Sequence, residues 1–505
     1  MNKQLTLVGA AVAAALGTAA QALPPGNWTD GTITTVYYAG GGSAQVPAAY
    51  TAIYNCLTTS SIDVYTDASG LGGHTASVSY IIVSGSVNTS ASPSCGGAAN
   101  VGFMYKFNGG SCPNGASPFL TSGATTLSYP STTSLGSATA ISGFAGTKSP
   151  INPNYTTQGT PAFTASISPD WGVTDTEATL CGYGWNLPPG SDKGLVTTYT
   201  TKNPASLWVS PFAIAVTANV YAQKKNFSKA EMAAIYQGPQ NNGITSWGQL
   251  NGDNGSPLTG LGAIALLDRS IGSGTRTGAN AYFLGYPYSK TPLSGATAPQ
   301  SIAGGYSTCS ALSACSAASF TSTFLDISEK TSQAIVDDLS FANNHAGFAA
   351  IGVIGVEFPP LYGQTNAGTN DYDFVKINGN GIDTGTGTTD NVNSAVNATT
   401  QYTNVWNGTY DYATQVGYAG RVADASQSAF QKGVVSFLKS STIADASSST
   451  GAWPSAAEGI LLDPATTGST AAGNVNWTRS GNTPSSPVYY QATTVPFAVT
   501  IAQQK

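Results

Sequence analysis

Ile264-Ala-Leu-Leu-Asp-Arg-Ser-Ile-Gly-Ser-Gly-Thr-Arg-Thr-Gly-Ala-Asn-Ala-Tyr-Phe-Leu284 is the stretch on which the fold turns. An apolar run ends at Asp268 and Arg269, the chain turns through Gly272, Ser273 and Gly274, and a helical pattern begins at Thr275. Strand, turn and helix in that order predict free backbone N–H groups, and the positive end of a helix dipole, at the end of the strand. Arg269 offers a planar fork of donors that matches an oxyanion, and Ser273 and Thr275 add hydroxyls. Arg276, just beyond the turn, is expected to point elsewhere. A Gly-Ser-Gly alone carries little in a chain with 59 glycines. The ordered array carries more.

The start of the chain predicts where it works. Lys3, an apolar run from Leu5 to Ala20, and Ala20-Gln21-Ala22 form a secretory signal peptide over residues 1–22, with the mature protein starting near Leu23 in the periplasm or outside the cell. No cysteine stands at the cleavage point, and no later run of about 18 apolar residues follows to span a membrane. The six cysteines all lie in the exported part, where disulfides are permitted. They allow fifteen connectivities, of which Cys309 with Cys315 is the easiest local pair. Their spacing and the two histidines do not suit zinc, and no cofactor or metal is expected. Charged residues make up 8 % of the chain against roughly 25 % in an average protein, with a net charge of -6, which argues against nucleic acid as a partner. That acidity does not exclude an anionic ligand, because charges beyond about 8 Å are screened and local donors dominate.

Strands alternate with helices along the chain, which predicts an α/β fold of two or more domains. Strands are expected at Val36 to Ala39, Val78 to Val83, Val101 to Phe107, Leu207 to Val220 and Ala349 to Phe358. Helices are expected after Pro47 through Tyr50, Ile53 and Leu57, at Ser228 to Tyr236 with a Ser228/Glu231 capping box, at Ser328 to Ala342 and at Ala429 to Leu438. Long Ser/Thr/Gly-rich loops fall between Cys56 and about Ala165, and polar insertions at Gly379 to Thr400 and Ser440 to Asn474.

Four motifs in order resemble those of the phosphate-binding periplasmic proteins of ABC transporters and their secreted relatives, within the type 2 periplasmic-binding-protein superfamily. Gly40-Gly41-Gly42-Ser43-Ala44-Gln45-Val46-Pro47 is similar to the family's Gly-rich loop before a Pro-started helix, and Gly109-Gly110-Ser111 to its Gly-Ser loop. Asp170-Trp171-Gly172-Val173-Thr174-Asp175 resembles its Asp-Phe-Gly-x-[Ser/Thr]-Asp, and Arg269 to Thr275 its Arg-x-x-Gly-Ser-Gly-Thr. The helix ending at Gly238, the later Trp247 and the run Ala350 to Glu357 also follow the family's order, in a longer chain. The resemblance implies a two-lobed fold with discontinuous lobes and loop insertions. Lobe one is about Leu23 to Ser210 plus Asn407 to Lys505, and lobe two about Pro211 to Trp406. It implies that Ser43, Ala44, Ser111, Asp175, Arg269, Ser273, Gly274 and Thr275 bind a small oxyanion, inorganic phosphate foremost, for uptake or scavenging, with an ABC permease as partner. The chain departs from the family at Val46, where a Phe is usual, at Gln45 or Ala44, where Thr or Ser is common, and at Ile271, where an Asp often meets the arginine.

Plainer readings stand beside these. Arg269 could be a surface cation, Asp175 a helix N-cap, Thr174 a strand end, and Ser43 and Ser111 loop filler. An ionised Asp175 facing the ligand only accepts hydrogen bonds, so it would favour an oxyanion that keeps a proton, such as hydrogen phosphate, over sulfate. Neither His74 nor His345 has a nucleophile-elbow context and the Gly-Ser-Gly-Thr turn lacks a P-loop lysine, so binding rather than catalysis is expected. The rival reading is a secreted structural or surface-interaction protein that keeps this fold without transport.

Overall fold

A computed structural model of the protein describes residues 28–66, 80–119, 126–132, 135, 156–157, 166–176, 181, 205–239, 243–284, 311–315, 324–329, 331–345, 348–356, 372–382, 410–421, 427–438 and 461–462. The expected signal peptide, most of the polar insertions and Cys309 lie outside these residues.

The fold is α/β. Its main strands are β1 (Thr35–Gly40), β2 (Asp63–Thr66), β3 (Tyr80–Ser86), β4 (Asn100–Lys106), β5 (Trp171–Thr174), β6 (Ala205–Thr217), β7 (Ala265–Arg269), β8 (Leu325–Glu329), β9 (Ala350–Gly355), β10 (Tyr372–Ile377) and β11 (Ala413–Gly420). The helices that pack on them are α1 (Val46–Asn55), α2 (Lys229–Gln237), α3 (Gly274–Leu284), α4 (Ser332–Asn344) and α5 (Ala429–Leu438). The strand order is β8-β7-β9-β6-β11-β5-β1-β4-β3-β2, with β10 also paired to β6.

Side-chain alternation explains why the N-terminal strands carry apolar runs rather than a polar outer face. Ile81 and Val83 of β3, with Phe103 and Tyr105 of β4, enter one core, while Tyr80, Ile82 and Met104 enter a second on the opposite face. Both faces are therefore covered, and the period of two sorts neighbours between them. A third and larger core runs from Phe212 to Ala413 and holds β7, β9 and α3. The long strand β6 serves both sides. Its residues up to Pro211 pair with β11, and Phe212 to Thr217 pair with β9 and β10.

The capping box at α2 forms as expected, with Ser228 Oγ accepting from the Glu231 amide at 3.1 Å and Glu231 Oε2 accepting from the Ser228 amide at 2.7 Å. The expected helix from Ser328 begins later. Ser328 and Glu329 belong to β8, parallel to β7, and the helix starts at Ser332 with the Thr331 hydroxyl capping the Ala334 amide at 3.1 Å. Pairing to β7 overrides the local pattern there.

Disulfides join Cys56 to Cys95 and Cys112 to Cys181. Cys315 is disulfide-bonded as well, and its expected partner Cys309 lies outside the described residues. These bonds suit a chain that folds outside the reducing cytosol. Among the described residues, no helix is long and apolar enough to cross a membrane.

Candidate functional site

β1, β4 and β5 are parallel, so their carboxyl ends lie along one edge and deliver three loops to the same place. Open α/β sheets bind ligands at such edges. β1 is followed by Gly40 to Gly42 and the tight turn Ser43–Gln45 that enters α1, β4 by Gly109 to Ser111, and β5 by Asp175. On the other side β7 and β8 are parallel too, and their carboxyl ends supply Arg269 and, just past Glu329, Ser332.

The two edges meet at Gly274, the first residue of α3. A Cβ there would fall on Asp175 Oδ1 and Ser111 Oγ, so only glycine fits. The neighbouring loops touch through backbone. The Cys112 amide donates to the Gly272 carbonyl at 2.9 Å, and Gly110, at φ +94°, packs directly on Gly272. A side chain at Gly110 would be both strained and obstructed.

Ser111 donates its hydroxyl to Asp175 Oδ1, and both residues are buried. The Asp175 carbonyl accepts from the Thr414 hydroxyl at 2.5 Å, which ties the residue to β11. Burial raises the Asp175 carboxyl from its ordinary value, and the Ser111 hydrogen bond and the Arg269 charge partly offset it. Any capping role would serve residues 177–180, which lie outside the described residues. Thr174 ends β5, with its hydroxyl donating to the Thr176 carbonyl at 2.7 Å.

Arg269 is 4 % exposed, which removes the surface-cation reading. Its Nη1 donates to Ser332 Oγ at 2.7 Å and Thr275 Oγ1 at 3.3 Å. Ser273 is buried in the turn, where its hydroxyl accepts from the Arg276 amide at 3.4 Å. Ser43 is half-buried, and Ser43 and Ala44 form the tight turn beside Gly42. Ser111, Asp175, Arg269, Gly274 and Thr275 thus lie together, and Ser43 and Ala44 belong to the neighbouring turn.

Arg276 does not point away as expected. It is 1 % exposed, its Nη1 donates to the Arg269 carbonyl at 3.0 Å, and its Nε lies 3.6 Å from Asp268 Oδ2. It is a buried strut under Arg269, placed there because the first turn of α3 faces the sheet rather than solvent.

Two further residues escaped sequence reasoning. Ser332 sits in no recognisable motif, and only the register of β8 on β7 brings it to Arg269. Glu329, beside Arg269 in that register, has its carboxyl pushed up to about 8 by burial and by Asp338, with Asp337 adding and Arg269 opposing. A carboxyl raised in the folded state binds more protons there than in the unfolded chain. Stability from Glu329 is therefore fully present below its ordinary 4.5 and declines as pH rises through about 8. Thermal unfolding followed across that window is expected to show the decline, and Glu329→Gln to flatten it.

No protein-family model matches the chain, and a comparison with curated proteins returned no match. Among solved structures, the chain is similar to a candidate phosphate ABC transporter substrate-binding protein with bound phosphate from Clostridium perfringens. That likeness has a TM-score of 0.29 at 14 % identity and covers 58 % of this chain and 79 % of the other. It is also similar to a candidate phosphate-binding protein from Planctomyces limnophilus, with a TM-score of 0.23 at 12 % identity, covering 44 % of this chain and 56 % of the other.

Proposed function

We propose that the chain is an exported solute-binding protein of the phosphate-binding periplasmic type, which holds a small oxyanion, inorganic phosphate foremost, between two lobes. The observation that carries this reading is the meeting at Gly274. A helix start, a serine hydroxyl and one acceptor carboxyl meet at a glycine that admits no side chain, and a buried arginine fork reaches the next residue, Thr275. Two lobes are supported by the separate cores and by β6, whose halves pair with different partners. The lobes run over about Leu23 to Ser210 with Asn407 to Lys505, and Pro211 to Trp406. Delivery to an ABC permease, and binding without catalysis, belong to the same reading.

Calorimetric titration with phosphate, sulfate and molybdate is the direct test. Saturable phosphate binding is the expected result, and failure of all three to bind would favour the structural rival.

Asp175 is the selectivity residue of this reading. Facing the ligand, its carboxylate accepts a hydrogen bond from the P–OH of hydrogen phosphate, whereas sulfate offers it only lone pairs. Sulfate then suffers the cost of an unsatisfied buried charge, about 1 to 3 kcal/mol or more. Asp175→Asn, which can donate as well as accept, is expected to reduce discrimination against sulfate more than it reduces phosphate affinity. Unchanged phosphate-to-sulfate ratios by calorimetry would leave Asp175 a structural residue.

A further inference from the structure

We propose that the Gln45 carboxamide is a direct ligand of the bound oxyanion and helps decide which oxyanions the site accepts. The proposal rests on the oxyanion reading above and adds a residue to it. Gln45 is 1 % exposed, and neither its Oε1 nor its Nε2 has a hydrogen-bond partner among the described residues. Buried amides are rarely left so, because each unpaired polar atom forfeits its hydration. Ser111, Asp175, Arg269 and Thr275 all have protein partners. Gln45 has donors and an acceptor to spare.

Its position gives those atoms a use. Gln45 ends the tight turn after Gly42 and stands as the residue before α1, with its amide donating to the Gly42 carbonyl at 3.3 Å. Its Oε1 lies 2.6 Å from the point where a Cβ on Gly42 would stand, and that point is 3.1 Å from Ser111 Cβ and 3.3 Å from Asp175 Oδ2. The unpartnered carboxamide therefore faces the Ser111–Asp175 pair across a glycine.

An amide supplies two N–H donors and a carbonyl acceptor on one rigid plane. Phosphate in its dihydrogen form satisfies both sides, with an unprotonated oxygen for Nε2 and, besides the P–OH that Asp175 accepts from, a second P–OH for Oε1. Sulfate offers only acceptors, so it satisfies Nε2 and sets lone pairs against Oε1. Gln45 thus sharpens the preference that Asp175 begins, and it does so without adding negative charge beside the anion.

The test compares wild-type mature protein with Gln45→Met and Gln45→Glu, using inorganic phosphate and sulfate in calorimetry and thermal melts with and without phosphate. Gln45→Met keeps the length of the side chain and removes its polar atoms. It is expected to weaken phosphate binding about tenfold to hundredfold, while raising the melting temperature of the ligand-free protein. Gln45→Glu, which places a second carboxylate beside the anion, is expected to bind phosphate more weakly than Gln45→Met at neutral pH and to recover as pH falls.

A Gln45→Met protein that binds phosphate within about twofold of wild type overturns the assignment while leaving the oxyanion site standing. A lowered ligand-free melting temperature with unchanged affinity identifies Gln45 as packing and overturns it as well. Wild type that binds neither anion removes the oxyanion reading itself, and the Gln45 assignment with it. If Gln45→Met fails to fold, Gln45→Asn, which withdraws the amide by one methylene, takes its place. Weakened phosphate binding by that variant supports the contact, and wild-type affinity refutes it.

Discussion

Arg269→Ala is expected to weaken phosphate binding by roughly 30-fold to several thousand-fold, the largest effect of any single change at the ligand. Truncating one member of a buried hydrogen-bonded charge pair costs about 2 to 5 kcal/mol, and about 1.4 kcal/mol corresponds to tenfold in affinity. The residue is suited to an effect of that size because its guanidinium is already oriented. Ser332 and Thr275 hold Nη1 at 2.7 and 3.3 Å, so little freedom remains to be lost on binding. Arg269→Lys should recover part of the affinity, since an ammonium keeps the charge without the planar fork. Ser332→Ala should fall between wild type and Arg269→Lys. Calorimetry on the three proteins checks the order, and normal binding by Arg269→Ala would move the anion site elsewhere.

Arg276→Ala is expected to destabilise the fold by about 3 to 5 kcal/mol, the range for breaking a buried ion pair by removing one partner. Arg276 is the cation of a buried group with Asp268 and Asp326. Burial and the Asp268 charge hold the Asp326 carboxyl well above the usual carboxylate range, against the pull of Arg276. Two carboxyls around one guanidinium are neutral when one of them keeps a proton, and Asp326 is the one disposed to keep it. Without Arg276 that balance is lost, and so is the hydrogen bond that fixes the Arg269 carbonyl. Urea unfolding measures the loss, with a midpoint shift at unchanged slope as the expected form. A shift worth less than about 1 kcal/mol would place the group among near-neutral surface pairs. Arg276→Ala is for this reason a poor control for Arg269→Ala.

The parts of this molecule that could be read from sequence are those that local physics decides. The apolar run into Arg269, the turn at Gly272 to Gly274 and the Ser228/Glu231 box each act within a few residues, and each forms where the pattern puts it. β8 escaped because Leu325-Asp326-Ile327-Ser328-Glu329 mixes polar and apolar residues, and its state follows from pairing with β7 about 60 residues earlier in the chain. β11 is rich in small and polar residues and is a strand because β5 and β6 flank it. Arg276 and Gln45 share a different cause. Their residue types predict exposure, and only tertiary packing makes one a buried strut and the other a buried amide without a partner.

β11 and α5 also bear on the order in which the chain can fold. Both come from beyond residue 412, yet β11 lies between β5 and β6, while Phe430 of α5 stacks on Tyr37 at 5.0 Å and Gly433 packs on Cys95. The core begun by β1 and α1 is thus sealed by residues made only after more than 370 others have been added behind Tyr37. Contacts of such separation form slowly, because loop closure is paid for before they reward it. The nascent N-terminal part therefore stays unsealed until β11 and α5 are made, a state open to aggregation if α5 is cut away.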